Sequence, residues 1–156
     1  MASVNFERLK EHILPLSASK NFSFACSEWD LIAVEITDEF DSCPCGQEIK
    51  EHCYIRNRLT GEETYVGNVC INRFMGFKTG SLFDGLKRIK LDELANANTA
   101  VIEYAWERGY IHDLNEYSFL KSTALARKLS DKQANWKKLI NRRIINQVVV
   151  RRRTQR

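Results

Sequence analysis

Residues 43–76 read CPCGQEIKEHCYIRNRLTGEETYVGNVCINRFMG, and four of the chain's five cysteines fall within this stretch, at positions 43, 45, 53 and 70. The segment opens on a Cys43-Pro44-Cys45-Gly46 turn. Such a turn is tight enough to present two sulfurs to one ion, and glycine tolerates the positive φ needed where the backbone doubles back. Tyr54–Leu59 and Glu63–Val66 are strand-like, with Thr60-Gly61-Glu62 between them as the turn. A β-hairpin would bring Cys53 and Cys70 back beside the knuckle. Cys70 to Phe74 reads as a short helix ending at Gly76. Cys70 would then lie near a helix N-terminus, where the dipole favours a thiolate. Four thiolates in a tetrahedron neutralise and enclose zinc, so the predicted ligands of one structural zinc ion are Cys43, Cys45, Cys53 and Cys70. The alternative is that these cysteines are small buried hydrophobes.

His52 competes with Cys53 as the third ligand. The two are adjacent, so in a strand they point to opposite faces. Cys53 shares its face with Ile55 and Leu59, whereas His52 shares its face with Tyr54, Arg56 and Arg58. The apolar face is expected inward, near the metal, which selects Cys53. Cys26 stands apart and reads as a buried free thiol.

Upstream, Phe6, Leu9 and Ile13 form one face of a helix that Pro15 closes. Phe22–Thr37 is rich in apolar residues throughout; its first half suits a helix and Ala33–Ile36 a strand. Downstream, Ser81 can cap a helix reaching about Ile89, and Asn98 or Thr99 opens another that Gly109 ends. Asp113-Leu-Asn-Glu116 and Ser130-Asp-Lys-Gln133 both have the capping-box pattern. The first opens a helix to Leu129 with Tyr117, Leu120, Ala124 and Leu125 on one face. The second opens a helix burying Trp136, Leu139, Ile140, Ile144 and Val148. Val148–Val150 can equally begin a strand. The predicted fold class is α+β: a zinc-bound β-hairpin module, treble-clef-like or zinc-ribbon-like, followed by a C-terminal helical hairpin. The expected divisions are 1–40, an N-terminal helix and apolar segment packing on the module; 41–76, the zinc module; and 77–156, a helical region with a basic end.

The 156 residues are 44% apolar and include three Trp, five Tyr and eight Phe, enough to build a core rather than a disordered chain. No run of ~18 apolar residues suggests a membrane span. Met1 to Pro15 carries Glu7, Arg8, Lys10, Glu11 and His12 and lacks the pattern of a signal peptide. A cytoplasmic location is expected, in which clustered cysteines point to metal more than to disulfides. The net charge of +4 is uneven: eight of the 24 Lys and Arg, and none of the 20 acidic residues, lie in the last 20 positions. That end carries +8 and the first 136 residues −4, which suits a polyanion or an acidic protein surface as partner.

The stretch CPCGQEIKEHCYIRNRLTGEETYVGNVCINRF resembles a zinc-binding module of small phage and viral proteins, with the pattern C-x-C-G, then N-x-x-T-G, then V-G-x-x-C-I and F. Residues 104–144, YAWERGYIHDLNEYSFLKSTALARKLSDKQANWKKLINRRI, resemble a helical pair common in phage proteins, whose turn is here Leu129-Ser130-Asp131-Lys132-Gln133. The two stretches cover about half the chain. The resemblance implies a phage or mobile-element origin, hence a host cytoplasm, and no particular reaction. Proteins with the first module often carry His directly after the CxCG glycine. Gln47 stands there in this chain, which leaves the third ligand to the comparison of His52 with Cys53.

No P-loop, GxSxG or HExxH sequence occurs, and His12, His52 and His112 form no paired motif. His52 and Asn72 only thinly imitate a His-Asn-His nuclease. A four-thiolate zinc leaves no position for a catalytic water, so the chain is expected not to be an enzyme. The first expectation is a zinc-finger-type accessory protein binding DNA or RNA without strong sequence preference. Arg56 and Arg58 on the hairpin, and Lys137, Lys138, Arg142, Arg143, Arg151, Arg152 and Arg153 near the end, would contact phosphates. The alternative for these cations is a solvated helix face or a free basic tail. The second expectation is an interaction protein that binds and inhibits or redirects a host defence or replication enzyme, zinc only holding its shape.

Overall fold

A computed structural model describes Val4–Arg151 of the chain. The fold is α+β, and among the described residues it has a three-stranded antiparallel sheet and seven α-helices. None of the helices is long and apolar enough to cross a membrane. The chain falls into two compact units, one ending at Thr79 and the other beginning at Gly80.

In the first unit α1 (Val4–Ile13) buries Leu9 and Ile13. Phe6 is only half-buried; its ring lies 4.7 Å from Phe74 and 5.4 Å from Phe22. A short 3-10 turn through Pro15 follows, then α2 (Phe22–Cys26), capped by the Asn21 side chain. Strand β1 runs from Trp29 to Ser42, far longer than the four residues read as a strand. It pairs with β2 (Glu48–Asn57), which pairs with β3 (Glu63–Gly67), in the order β1-β2-β3. Residues 40 and 41 lie within β1.

The hairpin turns where it was expected, and Asn57 explains why. Its Oδ1 accepts from the Leu59 and Thr60 amides, and its Nδ2 donates to buried Glu28 at 2.9 Å. Glu28 also accepts from the Ala18 and Ser19 amides, tying the connector after α1 to the sheet. Hydrogen bonds from Asn57 and Ala18 hold its carboxyl below the usual value. Helix α3 (Asn68–Met75) leaves β3 directly and ends at Gly76, whose φ is 75°.

The second unit consists of α4 (Gly80–Leu91), α5 (Thr99–Arg108), α6 (Leu114–Ser122) and α7 (Asp131–Ile145). Helix α4 packs on α5 and α7, and α5 packs on α6. The helical pair is thus part of a four-helix unit. Ser130 and Gln133 form a reciprocal capping box. Asp113 caps Glu116, but Glu116 reaches back to the His112 amide instead of to Asp113. Helix α6 stops at Ser122, seven residues short of Leu129. There the Ser122 and Thr123 hydroxyls both donate to the Phe119 carbonyl, a local bond that competes with helix continuation. Leu125, expected on the buried face, is 94% exposed.

The buried face of α7 is Lys137, Ile140, Asn141 and Ile144, at the i, i+3, i+4, i+7 spacing of an amphipathic helix. Leu139, read as core, is 58% exposed. Beyond α7 no strand forms among the described residues; the Val150 and Arg151 amides instead donate to the Gly109 carbonyl.

Candidate metal centre

Cys43 and Cys45 lie in the loop between β1 and β2, and Cys70 lies in the first turn of α3. All three are buried, and their sulfurs lie within 4.8 Å of one another. The loop folds back on itself: the Cys43 amide donates to the Gln47 carbonyl and the Gly46 amide to the Cys43 carbonyl, both at 2.8 Å. Gly46 sits at φ 99°, a conformation that disfavours any side chain. Gly67, where β3 passes into α3, is needed for a different reason. A Cβ there would lie 2.8 Å from Ile49 Cγ2 and 3.7 Å from Cys43 Sγ. The bare backbone lets the strand–helix junction approach the cysteine loop.

Cys43 Sγ accepts from the Gly67 amide at 3.3 Å and lies 3.8 Å from Cys70 Sγ. The Cys70 thiol donating to it draws the Cys43 thiol down to about 5, against burial and with help from the Cys45 and Gly67 amides. Donating to Cys43 pushes the Cys70 thiol up, and burial pushes Cys45 up. Three soft donors, one already favoured as thiolate, are a donor set that can hold a metal ion. A tetrahedral metal with sulfurs at ~2.3 Å would separate them by ~3.8 Å, the spacing found between Cys43 and Cys70.

Cys53 is not among the sulfurs gathered within this group. It faces inward as the strand-face argument required, with no exposed surface. That inward face packs on the apolar core. Cys53 stands in the central strand, paired with Val34 on one side and Val66 on the other. Burial, with the charges of Glu51 and Cys43, pushes its thiol up to about 12. His52 is also buried, although it points the opposite way. Its Nε2 lies 3.2 Å from Asp41 Oδ2, and its ring lies 5.0 Å from Tyr65. The neighbouring rings of Tyr54 on the same strand and Tyr65 on β3 were the available signal that His52 itself is covered. Cys26 is half-buried and its thiol is pushed up to about 11 by burial.

Cys43, Cys45 and Cys70 are among the residues lining a pocket of about 230 Å³, with Gln47, Asn68, Phe40 and Val69. Sequence reasoning did not anticipate this pocket.

The predicted phosphate contacts are in other company. Lys137 is buried, its ammonium bonded to Asn96 Oδ1 and to the Thr123 carbonyl. Lys138 and Arg142 both reach Glu93. Arg143 donates to Glu116 at 2.6 Å and to the Tyr110 carbonyl. Arg151 lies 3.8 Å above the Trp106 ring and donates to the Trp106 and Ile111 carbonyls. On the hairpin, Arg56 pairs with Glu63, and Arg58 with Asp30 and the Ser27 carbonyl. Arg152 and Arg153 lie outside the described residues.

The chain matches no protein-family model, no curated protein and no solved structure.

Proposed function

We propose that the protein is a zinc-stabilised binding module that acts by contact with a protein partner, in the manner of a phage-type interaction protein. The zinc would be held by Cys43, Cys45 and Cys70. One observation favours a protein over a nucleic acid. Each described cation predicted to contact phosphate already pairs with a carboxylate or donates to an oxygen of its own chain. A nucleic-acid backbone would have to compete with those internal partners. Exposed Phe40 and Val69, beside the cysteine pocket, are apolar surface of the kind that protein interfaces cover.

Binding of DNA or RNA is the second reading. It rests on the +8 charge of the last 20 residues, which suits phosphate whatever the folded part does. The two are separated by affinity capture from host lysate with and without nuclease, beside binding of a labelled oligonucleotide across a salt series. A stoichiometric protein that survives nuclease supports the first reading. Oligonucleotide binding that falls steeply with salt, with no protein captured, replaces it with the second. In either reading the zinc holds shape, and the partner's chemistry resides on surfaces that the metal positions.

A further inference from the structure

We infer that a metal held by Cys43, Cys45 and Cys70 keeps its fourth coordination position open to the adjoining pocket, where an exchangeable neutral donor from solvent completes the tetrahedron. This rests on the zinc reading above and concerns what closes the site.

Among the described residues, no further Cys, His, Asp or Glu places a donor atom with the three sulfurs. Three Cys and His side chains of the same unit stand outside the group. Cys53 is locked between Val34 and Val66 in the middle of the sheet. His12 Nε2 lies 2.7 Å from Thr64 Oγ1. His52 turns its Nε2 to Asp41 and lies against Tyr65, and its buried Nδ1, which has no hydrogen-bond partner, does not lie with the three sulfurs. On the other side, Cys43, Cys45 and Cys70 all line the same pocket, whose volume of about 230 Å³ exceeds that of a single water. A structural zinc is enclosed by four protein ligands, whereas three ligands and an open position mark a metal that exchanges its fourth partner.

Charge selects the ligand class. Zinc with three thiolates carries a net negative charge, and the pocket adds Glu48 and Glu51 against the single cation Lys50. Anions are disfavoured there by like charge. A neutral oxygen or nitrogen donor, water or an imidazole-type base, incurs no such repulsion. Gln47 and Asn68 at the wall offer side-chain amides to orient it.

Cobalt(II) tests this, because its visible bands report the donor set of a tetrahedral site. The full-length protein, freed of metal and loaded with one cobalt, is titrated with imidazole and, separately, with azide. A saturable shift of the visible bands by imidazole, with a much weaker response to azide, is expected. Val69→Trp, at an exposed pocket position, should weaken the imidazole response several-fold while leaving the sulfur-to-cobalt charge-transfer band unchanged. Cys53→Ala should also leave that band at wild-type intensity. The inference is overturned if imidazole leaves the spectrum of the wild-type protein unchanged, or if Cys53→Ala lowers the charge-transfer band by a quarter, as loss of one thiolate in four would. In both cases the zinc reading survives with a closed site. If no cobalt binds at all, the zinc reading falls, and this inference falls with it.

Discussion

The centre of the sheet unit and the centre of the helical unit treat polar groups in opposite ways. In the sheet unit three thiols are gathered with little company but one another and the Gly67 and Cys45 amides. In the helical unit Glu116 is almost saturated by its own chain. It accepts from the His112 amide, the Trp136 indole and Arg143. Lys137 and Asn141 on α7 likewise satisfy carbonyls of the segments around residues 93–96 and 123. Buried polar groups need partners. The helical unit supplies most of them internally, Asn141 Oδ1 being left without one, and the sheet unit gathers donors that an ion would complete. The sheet unit is therefore expected to depend on metal and the helical unit to stand without it.

The largest effect should come from removing the metal. Zinc–thiolate sites in small units contribute on the order of 10 kcal/mol to folding at neutral pH. Chelation, or Cys45→Ser, should unfold the sheet unit while the helices from Gly80 onward keep their amide protection, as residue-resolved hydrogen exchange would record. Simultaneous loss of protection in both units would break the contrast.

Next is Glu116→Ala in the helical unit. Removing one partner of a largely buried ion pair costs about 3 kcal/mol, here with the Trp136 and His112 donors left unmatched as well. Burial pushes the Glu116 carboxyl up, but the bonds from Arg143, His112 and Trp136 outweigh it and hold the group below its ordinary 4.5. A folded value below the unfolded one means the stabilisation is present above about pH 4.5. It is lost as pH falls through the lowered value. Denaturant titrations of wild type and variant should therefore converge in acid, with the metal site unaffected.

Lys137→Ala should cost about 2 kcal/mol, since it strands the Asn96 and Thr123 acceptors and opens space in the core. Burial lowers the Lys137 ammonium from its ordinary 10.5. The unfolded chain then holds that proton more tightly, so the wild-type advantage grows as pH rises toward 10.5. A phosphate-contact residue would show neither the loss nor the trend. Smallest is Ser130→Ala, which removes half of the capping box at about 1 kcal/mol, measurable as a modest drop in Tm without change in metal content.

Much of this was legible in the sequence because local chemistry decided it. The Gly76 and Gly109 helix ends and the Ser130 cap each follow from one residue's side chain or its absence. The misreadings arose where tertiary packing chose between equals. Cys53 and His52 were separated by strand face, yet both side chains are buried, so burial does not choose between them. Lys137 and Asn141 occupy helix positions that a hydrophobicity pattern assigns to the surface, and only the carbonyls awaiting them explain their burial. The long β1 was hidden because Asp38, Glu39 and Asp41 look like loop residues, while pairing with β2 resumes at Asp41 after an irregularity.

The most direct test of the central claim is elemental analysis of the purified full-length protein, wild type beside Cys70→Ser and Cys53→Ser. One zinc per wild-type chain is expected, abolished in Cys70→Ser and retained in Cys53→Ser. Wild-type protein without metal, or metal lost equally in both variants, would contradict the three-cysteine centre.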